Sequence, residues 1–595
     1  MTDPQAAANT VWQLLDQRVA ATPDAIAFQR EAGNGHWEPV TWQAFYAHVG
    51  RLRRGLYATG LRRGDRLALI APVSIEWELL HHAALSMGVV VVGLDAHDLP
   101  QRIAGMAQQA GVVAFATTDV RVLASLDGDQ WRKVRVLLTL CDQKGNAGPL
   151  LGKHALTWAE LDALADTSDA IPDRPAPDDV ATIIFTSGTT GAPKGIAYTH
   201  AQLCMAVAAI ADAFSFVGHD GRLLCWLPLS NLFQRMVNLA GLRQGAGTYL
   251  LGDPRRVMAV VATVSPDIFV GVPRFYEKLY DGIHASIAAR PALQRRAIEL
   301  AWRVGRRVSQ YRLDKRGVPA WLAVAHHVAD RFVLSRLRSV MGDRLRCMVT
   351  GSAPTPRYLL DEFHALGWLL LEAYGMSENV MPMAMNRIDD FRFGTVGRAL
   401  PGNQLVVGDG GDIKVKSPGL FSGYLGDAGP TPIDAEGFYA TWDLGETDSD
   451  GYLRITGRSG DLIKTSVGRR IAPATIEAHL RRVPGIDDVV LVGNGRKYLV
   501  ALCSCDKVVP NEAALAELQR SINQVLSDAN EQDRPRGVGL IRGKFSIDSG
   551  EMTTNLKLRR NIILSRYQVL IDRVYASVDS MPRVKQECIV VINGT

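Results

Sequence analysis

ATIIFTSGTTGAPKG, residues 181–195, decides how this chain is read. Residues 181–185 are apolar and of strand length. The loop TSGTTGAPKG that follows is built for a phosphate. Thr186, Ser187, Thr189 and Thr190 carry hydroxyls, and Lys194 adds a cation. Gly188 and Gly191 let the backbone come close to a ligand and turn its N–H groups inward. A strand running into such a loop suits a polyphosphate. It is not a GxxxxGK[ST] loop, because Lys194 follows Pro193 and precedes Gly195.

Outward from that loop the pattern alternates. Residues 67–72 (LALIAP) and 89–93 (VVVVG) read as strands, and residues 11–20 and 75–87 have helical spacing. A further helix is expected over 202–216. This alternation predicts an α/β fold with mixed, largely parallel sheets. The stretch IPDRPAPDDV (171–180) marks a loop or lobe boundary by its Pro and Asp content. Residues 394–451 are Gly- and Asp-rich with short strands, as in a β-rich lobe. From Asp461 onward the chain reads as a compact α+β module. Residues 290–340 place arginines among apolar residues at helical spacing. Their simplest reading is a solvated helix face, with an anionic cofactor or a lipid surface as other readings.

Composition narrows the function classes. The chain has 595 residues, 47% hydrophobic and 21% charged, so disorder is excluded. A net charge of +5 over this length gives no reason to expect nucleic acid. Seven cysteines do not make a disulfide scaffold and fit a reducing compartment. Cys503 and Cys505 have no matching pair for zinc, and Asp448 and Asp450 lack calcium-loop spacing. No apolar run reaches the ~18 residues of a spanning helix. The acidic, polar start MTDPQAAANT lacks a secretory signal pattern. A cytoplasmic protein with at most peripheral membrane contact is expected.

Four motifs in order, TSGTTGAPKG, LEAYGMSEN (371–379), TWDLGETDSDGYLRITGRSGDLIKTSVGRRIAPATIE (441–477) and TTNLKLRRNII (553–563), resemble the adenylate-forming superfamily. That superfamily holds acyl-CoA synthetases, peptide-synthetase adenylation domains and beetle luciferases. WLPLSNLFQRM (226–236), VGVPRFYEKLYDGI (270–283) and KLRRNII resemble long-chain fatty acyl-CoA synthetases in particular. The resemblance implies a large multi-lobed N-terminal domain (1–457) for ATP and acyl substrate. It also implies a small mobile C-terminal domain (458–595) that carries a catalytic lysine. The implied activity is ATP-dependent activation of a long- or medium-chain fatty acid to acyl-adenylate, then transfer to CoA. ATP, Mg²⁺ and CoA are the implied cofactors. One rival is a ligase that serves an acyl-carrier-protein pantetheine or uses an aryl acid. Another is a non-catalytic nucleotide- or lipid-binding homologue.

The resemblance also implies roles. Lys194 and the hydroxyls of 186–190 hold the β- and γ-phosphates, and Glu378 ligates Mg²⁺. Ser377 stands where the family has Thr and bonds the α-phosphate. Tyr374 stacks on adenine beside Gly375, and Gly351, Ser352, Ala353 and Pro354 form another wall. Asp443 and Arg458 take the ribose. Lys557 reaches in during adenylation. Gly460 stands at the hinge, and Gly468 lets pantetheine pass. Gly460, like Ser377, departs from the family residue, which is Asp or Lys at the hinge, and three further residues depart. Asn231 and Gln234, on the expected acyl-pocket rim, replace His and an acid, and Trp442 replaces Gly, where it would crowd the pocket or change the backbone path. Met376, Met381, Met383 and Met385 read as core filling, with an acyl pocket as the other reading.

Overall fold

The computed structural model describes residues 8–33, 35–119, 122–123, 129–140, 155–167, 173–186, 193–426, 433–506, 512–527, 530–546, 549–552, 558–580 and 589–592. Its organising feature is a pair of largely parallel sheets. The larger has nine strands, and six of them are parallel neighbours: Leu370–Tyr374, Cys347–Thr350, Ile268–Gly271, Arg222–Cys225, Gly247–Leu250 and Ile26–Gly33. Short antiparallel strands close both edges. The second sheet has six strands. Five are parallel, ending in Val180–Phe185, and Gly195–Thr199 returns antiparallel at the edge.

Buried strands explain the apolar runs in the sequence. Every residue of Val90–Gly93 and of Ile268–Gly271 is buried, as expected for strands covered on both faces. The helices between them are set by local caps. Ser74 starts Ile75–Ser86 by accepting the Trp77 N–H at 3.2 Å. The helix expected over 202–216 runs instead over His200–Ala213. The Thr199 hydroxyl accepts the Gln202 N–H and the Gln202 side chain accepts the Thr199 N–H, so a capping box starts it earlier.

The β-rich lobe is a four-stranded antiparallel sheet: Gln404–Val407, Asp412–Lys416, Tyr439–Thr447 and Leu453–Arg458. Its buried residues up to Leu453 join the main core. From Ile463 onward buried side chains form two other clusters, one on each face of a separate sheet. In that sheet Asp488–Val492 pairs antiparallel with Val500–Cys505, which pairs parallel with Gly537–Arg542. Arg274 ties this C-terminal part to the first. Its guanidinium donates to the Asp487 carbonyl at 2.9 Å and lies 3.7 Å from the Asp488 carboxylate. Cys503 and Cys505 are buried in the Val500–Cys505 strand.

One helix contact is close enough to demand glycine. Ala292–Leu313 packs on Arg357–Leu366, and a Cβ on Gly305 would stand 2.2 Å from the Ala365 carbonyl oxygen. Gly305→Ala therefore forces these helices apart and should lower stability by about 1–3 kcal/mol, read as a lower urea midpoint at unchanged slope.

Candidate active site

The Cys347–Thr350 and Leu370–Tyr374 strands run parallel and side by side. Their following loops, 351–354 and 375–378, therefore leave the same end of the sheet, where open α/β sheets gather ligands. Gly351 sits close under this edge, where a Cβ would come 3.2 Å from the Ala373 carbonyl. Ser352, Ala353, Pro354 and Gly375 are exposed, and Ser352 has a left-handed φ of 70°.

Tyr374 ends its strand buried, and its hydroxyl donates to Asp443 Oδ2 at 2.6 Å. Burial, with Asp443 beside it, holds this phenol well above the usual range. Asp443 stands opposite Arg458 across the Tyr439–Thr447 and Leu453–Arg458 pair, with Arg458 Nε 3.2 Å from Oδ1. Thr441 Oγ1 accepts the Asp443 N–H at 3.2 Å, within the Tyr439–Thr447 strand. Tyr374, Asp443 and Arg458 thus form one hydrogen-bonded and ionic chain.

A second cluster joins the other motifs. The TSGTTGAPKG loop connects the antiparallel Val180–Phe185 and Gly195–Thr199 strands, closed where the Thr186 N–H donates to the Lys194 carbonyl at 3.0 Å. Lys194 Nζ lies 4.5 Å from the centre of the Tyr424 ring, a cation–π contact. The Tyr424 hydroxyl donates to Glu378 Oε1 at 2.7 Å. Tyr198 donates to the Ser377 carbonyl and so fixes the loop before Glu378. Tyr424 has no motif of its own among those read from the sequence. Its only early signal is an aromatic in FSGYLG (421–426), 46 residues beyond Glu378. Ser187, Gly188, Thr189, Thr190, Gly191 and Lys557 lie outside the described residues. Gly460 sits exposed in the short turn after Arg458. Gly468, at φ 85°, closes the turn between Ile463–Lys464 and Arg470–Ile471 with open space around its Cα.

The structure places the three departing residues. Gln234 does not line a pocket rim, because it is 1% exposed and points into the core. Its amide donates to Asn238 Oδ1 at 2.9 Å, and Asn238 donates to Glu78 Oε1 at 2.7 Å. Asn231 is half-buried and caps the Leu232–Gln244 helix, its Oδ1 accepting the Phe233 N–H at 3.1 Å. Its carbonyl oxygen is therefore committed to the helix start. Trp442 stands at the protein surface. It takes a left-handed φ of 62°, the region glycine favours, and its ring is 63% exposed. Met381, Met383 and Met385 are buried in the main core, and Met376 packs half-buried against it.

The Gln234–Asn238 bonds lead to a buried ionic group. Glu78, His81 and His82 are buried on one helix face, with His81 Nδ1 3.6 Å and His82 Nε2 3.8 Å from Glu78 Oε2. They are the one metal-like triad among the described residues. Buried Arg235, which donates to Thr182 Oγ1 at 2.7 Å, faces the same group. Its positive charge acts on Glu78 and His81, so a metal cation would meet a like charge. Burial pulls Arg235 down to about 10, while Glu78 pushes it back up. Burial also lowers His81 and His82, His82 to about 3, so both imidazoles are neutral.

The AMP-binding enzyme family model matches residues 15–425, and that of the AMP-binding enzyme C-terminal domain matches 460–579. The chain belongs to the AMP-binding enzyme family. The family chain is 28% identical over 578 residues to a long-chain-fatty-acid--CoA ligase, FadD15, of Mycobacterium bovis, covering 93% of this chain and 95% of that one. It is 32% identical over 426 residues to a putative fatty-acid--CoA ligase, fadD11, of Mycobacterium tuberculosis, covering 67% and 74%. Among solved structures it is similar to the A-PCP didomain of a carboxylic acid reductase from Segniliparus rugosus in complex with AMP. There the TM-score is 0.75 at 18% identity, covering 96% of this chain and 83% of that one. This AMP-binding enzyme has the α/β architecture of those structures, with mixed, largely parallel sheets.

Two tests follow from the buried acids of this AMP-binding enzyme. Glu78→Ala removes the acceptor of the Asn238 amide and the carboxyl whose field acts on Arg235, and should cost about 1–3 kcal/mol by urea denaturation. Adding Gln234→Glu to that variant should recover part of the loss, by returning a carboxylate to the network. Glu372, in the same strand as Tyr374, is pushed up to about 8, chiefly by burial, against the Gly394 N–H at 3.2 Å. Unfolded, a glutamate loses its proton near ~4.3, whereas here it keeps it to about 8. The unfolded state binds fewer protons in that window, so stability falls as pH rises from ~4.5 to ~8. Glu372→Gln should flatten that fall and be more stable than the parent above pH ~8. Identical urea midpoints against pH in both proteins would contradict it.

Proposed function

We propose that this chain activates a long- or medium-chain fatty acid with ATP and transfers the acyl group to CoA. The observation that carries this reading is the Tyr374–Asp443–Arg458 chain, which stands with the Lys194–Tyr424–Glu378 cluster in a member of the AMP-binding family. The relatives named as fatty-acid CoA ligases support the substrate class.

In the first step a carboxylate oxygen attacks the α-phosphorus of ATP, and the bond to pyrophosphate breaks. All reacting groups are negative, so cations and N–H donors carry the catalysis. Lys194 and the 186–190 hydroxyls take the β- and γ-phosphates, and Ser377 the α-phosphate. Asp443 accepts the ribose hydroxyls in a bidentate way, with Arg458 beside it. Tyr374 is anchored by its hydroxyl, which leaves its ring as a wall for adenine, opposite the 351–354 loop. Glu378 suits Mg²⁺, a hard cation: Tyr424 occupies Oε1, and Oε2 is the oxygen such an ion would use. Bound there, Mg²⁺ would offset phosphate charge.

In the second step the CoA thiolate attacks the acyl carbonyl carbon, and AMP leaves. The domains divide at 457/458, and the C-terminal domain turns about the segment at Gly460 between the steps. It brings Lys557 in for adenylation and the Gly468 turn for pantetheine.

The test is pyrophosphate release with ATP, Mg²⁺ and a panel of carboxylic acids, with and without CoA. Release that needs a fatty acid and turns over only with CoA is expected. A single burst unchanged by CoA would give the carrier-protein acceptor instead, and no release with any acid would give the non-catalytic homologue. Lys557→Ala should abolish acyl-adenylate formation while sparing ATP binding and CoA transfer from supplied acyl-adenylate. Asp443→Ala should lower kcat/KM for ATP by about 10²-fold, consistent with loss of a charge-assisted bidentate contact.

A further inference from the structure

The Ala320–Ala329 helix wears its apolar face on the outside. Leu322 is its buried anchor, at 1% exposure. Trp321, Val324, Val328 and, one turn further, Phe332 are 62%, 65%, 51% and 60% exposed. Steps of three and four residues place these side chains on one face. A surface helix normally turns such a stripe to the core. A second stripe runs along Ala292–Leu313, where Leu293 and Leu300, seven residues apart, are 79% and 58% exposed. The next position on that line is Arg307, whose guanidinium lies 5.9 Å from the Trp321 ring centre. The two stripes therefore share one side of the helical pair. Seven of the fifteen most exposed large apolar side chains among the described residues fall between 293 and 340.

Charge is concentrated in the same place. From Arg290 to Arg346 there are fourteen arginines and lysines against four carboxylates, a net +10, while the whole chain carries only +5. The rest of the protein is therefore net negative. Arg303, Arg331 and Arg336 are exposed beside the stripes. The pair is firmly held from beneath: Gly305 meets the Ala365 carbonyl, Arg306 binds Glu362 at 2.9 Å and Arg338 binds Asp330 at 2.5 Å. The face is thus presented by a fixed element.

We propose that this helical pair docks the protein on an anionic lipid surface. Trp321, Val324, Val328, Phe332, Leu293 and Leu300 enter the headgroup layer, and the surrounding arginines meet lipid phosphates. An apolar helix face ringed by cations is the pattern of a helix lying in a membrane interface. Among the described residues no helix is long and apolar enough to cross a membrane, so the contact is peripheral. A second copy of this chain would bring the same excess of arginines to this face and be repelled. A nucleic acid would leave the apolar stripe unused.

The experiment is flotation with vesicles of phosphatidylcholine, and of phosphatidylcholine mixed with phosphatidylglycerol, across a salt series. The full chain is expected to bind the mixed vesicles at least about tenfold more tightly, less so as salt rises. Combining Trp321→Ser, Val324→Ser, Val328→Ser and Phe332→Ser should cut binding to mixed vesicles at least about tenfold. Arg331→Glu with Arg336→Glu should remove the preference for anionic lipid. These side chains are exposed, so both variants should keep the parent's urea midpoint. The proposal is overturned if the parent does not float with anionic vesicles, or if the serine variant floats as the parent does. It is also overturned by a concentration-dependent dimer that the serine substitutions dissolve without any vesicle binding.

Discussion

The Asp443 carboxylate is the joint on which the candidate site depends. It accepts the hydroxyl of Tyr374 from the end of a central parallel strand and faces Arg458 from the last strand of the β-rich lobe. One side chain thereby links the main sheet, the lobe and the segment leading into the C-terminal part. Coulombic and hydrogen-bond terms act together here, in surroundings where Tyr374 is buried and Asp443 largely shielded. Moving any one partner would displace the other two. The Glu378–Tyr424–Lys194 cluster depends on the same kind of bridging, with an aromatic hydroxyl holding the acid and an aromatic face holding the cation.

The core also holds a cluster of polar side chains. Glu78, His81, His82, Arg235, Gln234 and Asn238 are buried together, and the two imidazoles remain uncharged. The arrangement explains why a neutral Gln234 is tolerated beside a buried arginine: the facing carboxylate comes from another helix, 156 positions earlier in the chain, at Glu78. It is a charge balance reached through tertiary structure, with Asn238 as the hydrogen-bonded link.

Much of this was legible in the sequence. Apolar runs such as 89–93 read as strands because parallel strands buried on both faces are apolar throughout, and Val90–Gly93 is one. The motifs around Tyr374, Glu378, Asp443 and Arg458 were readable because each is a short, contiguous string. Tyr424 was not, because its role arises only where its loop bridges to Ile196 in the Gly195–Thr199 strand. Gln234 was misplaced because one sequence cannot tell a pocket rim from a core facing a helix far away. The 290–340 arginines read most simply as a solvated face, with an anionic cofactor or a lipid surface as other readings. Hydropathy spacing gives a stripe but no direction, and only packing tells that Leu322 points in while Trp321 points out.

The uneven placement of charge has a kinetic consequence. With +10 gathered between Arg290 and Arg346 and the remainder negative, the molecule is an electric dipole with one marked pole. A dipole turns in an external field before it touches anything. Any negatively charged surface would draw the protein in with that pole leading, so orientation is chosen during approach and sampled less by random collision. The productive fraction of encounters would then fall as ionic strength shortens the reach of the field, even where the final contact is unchanged.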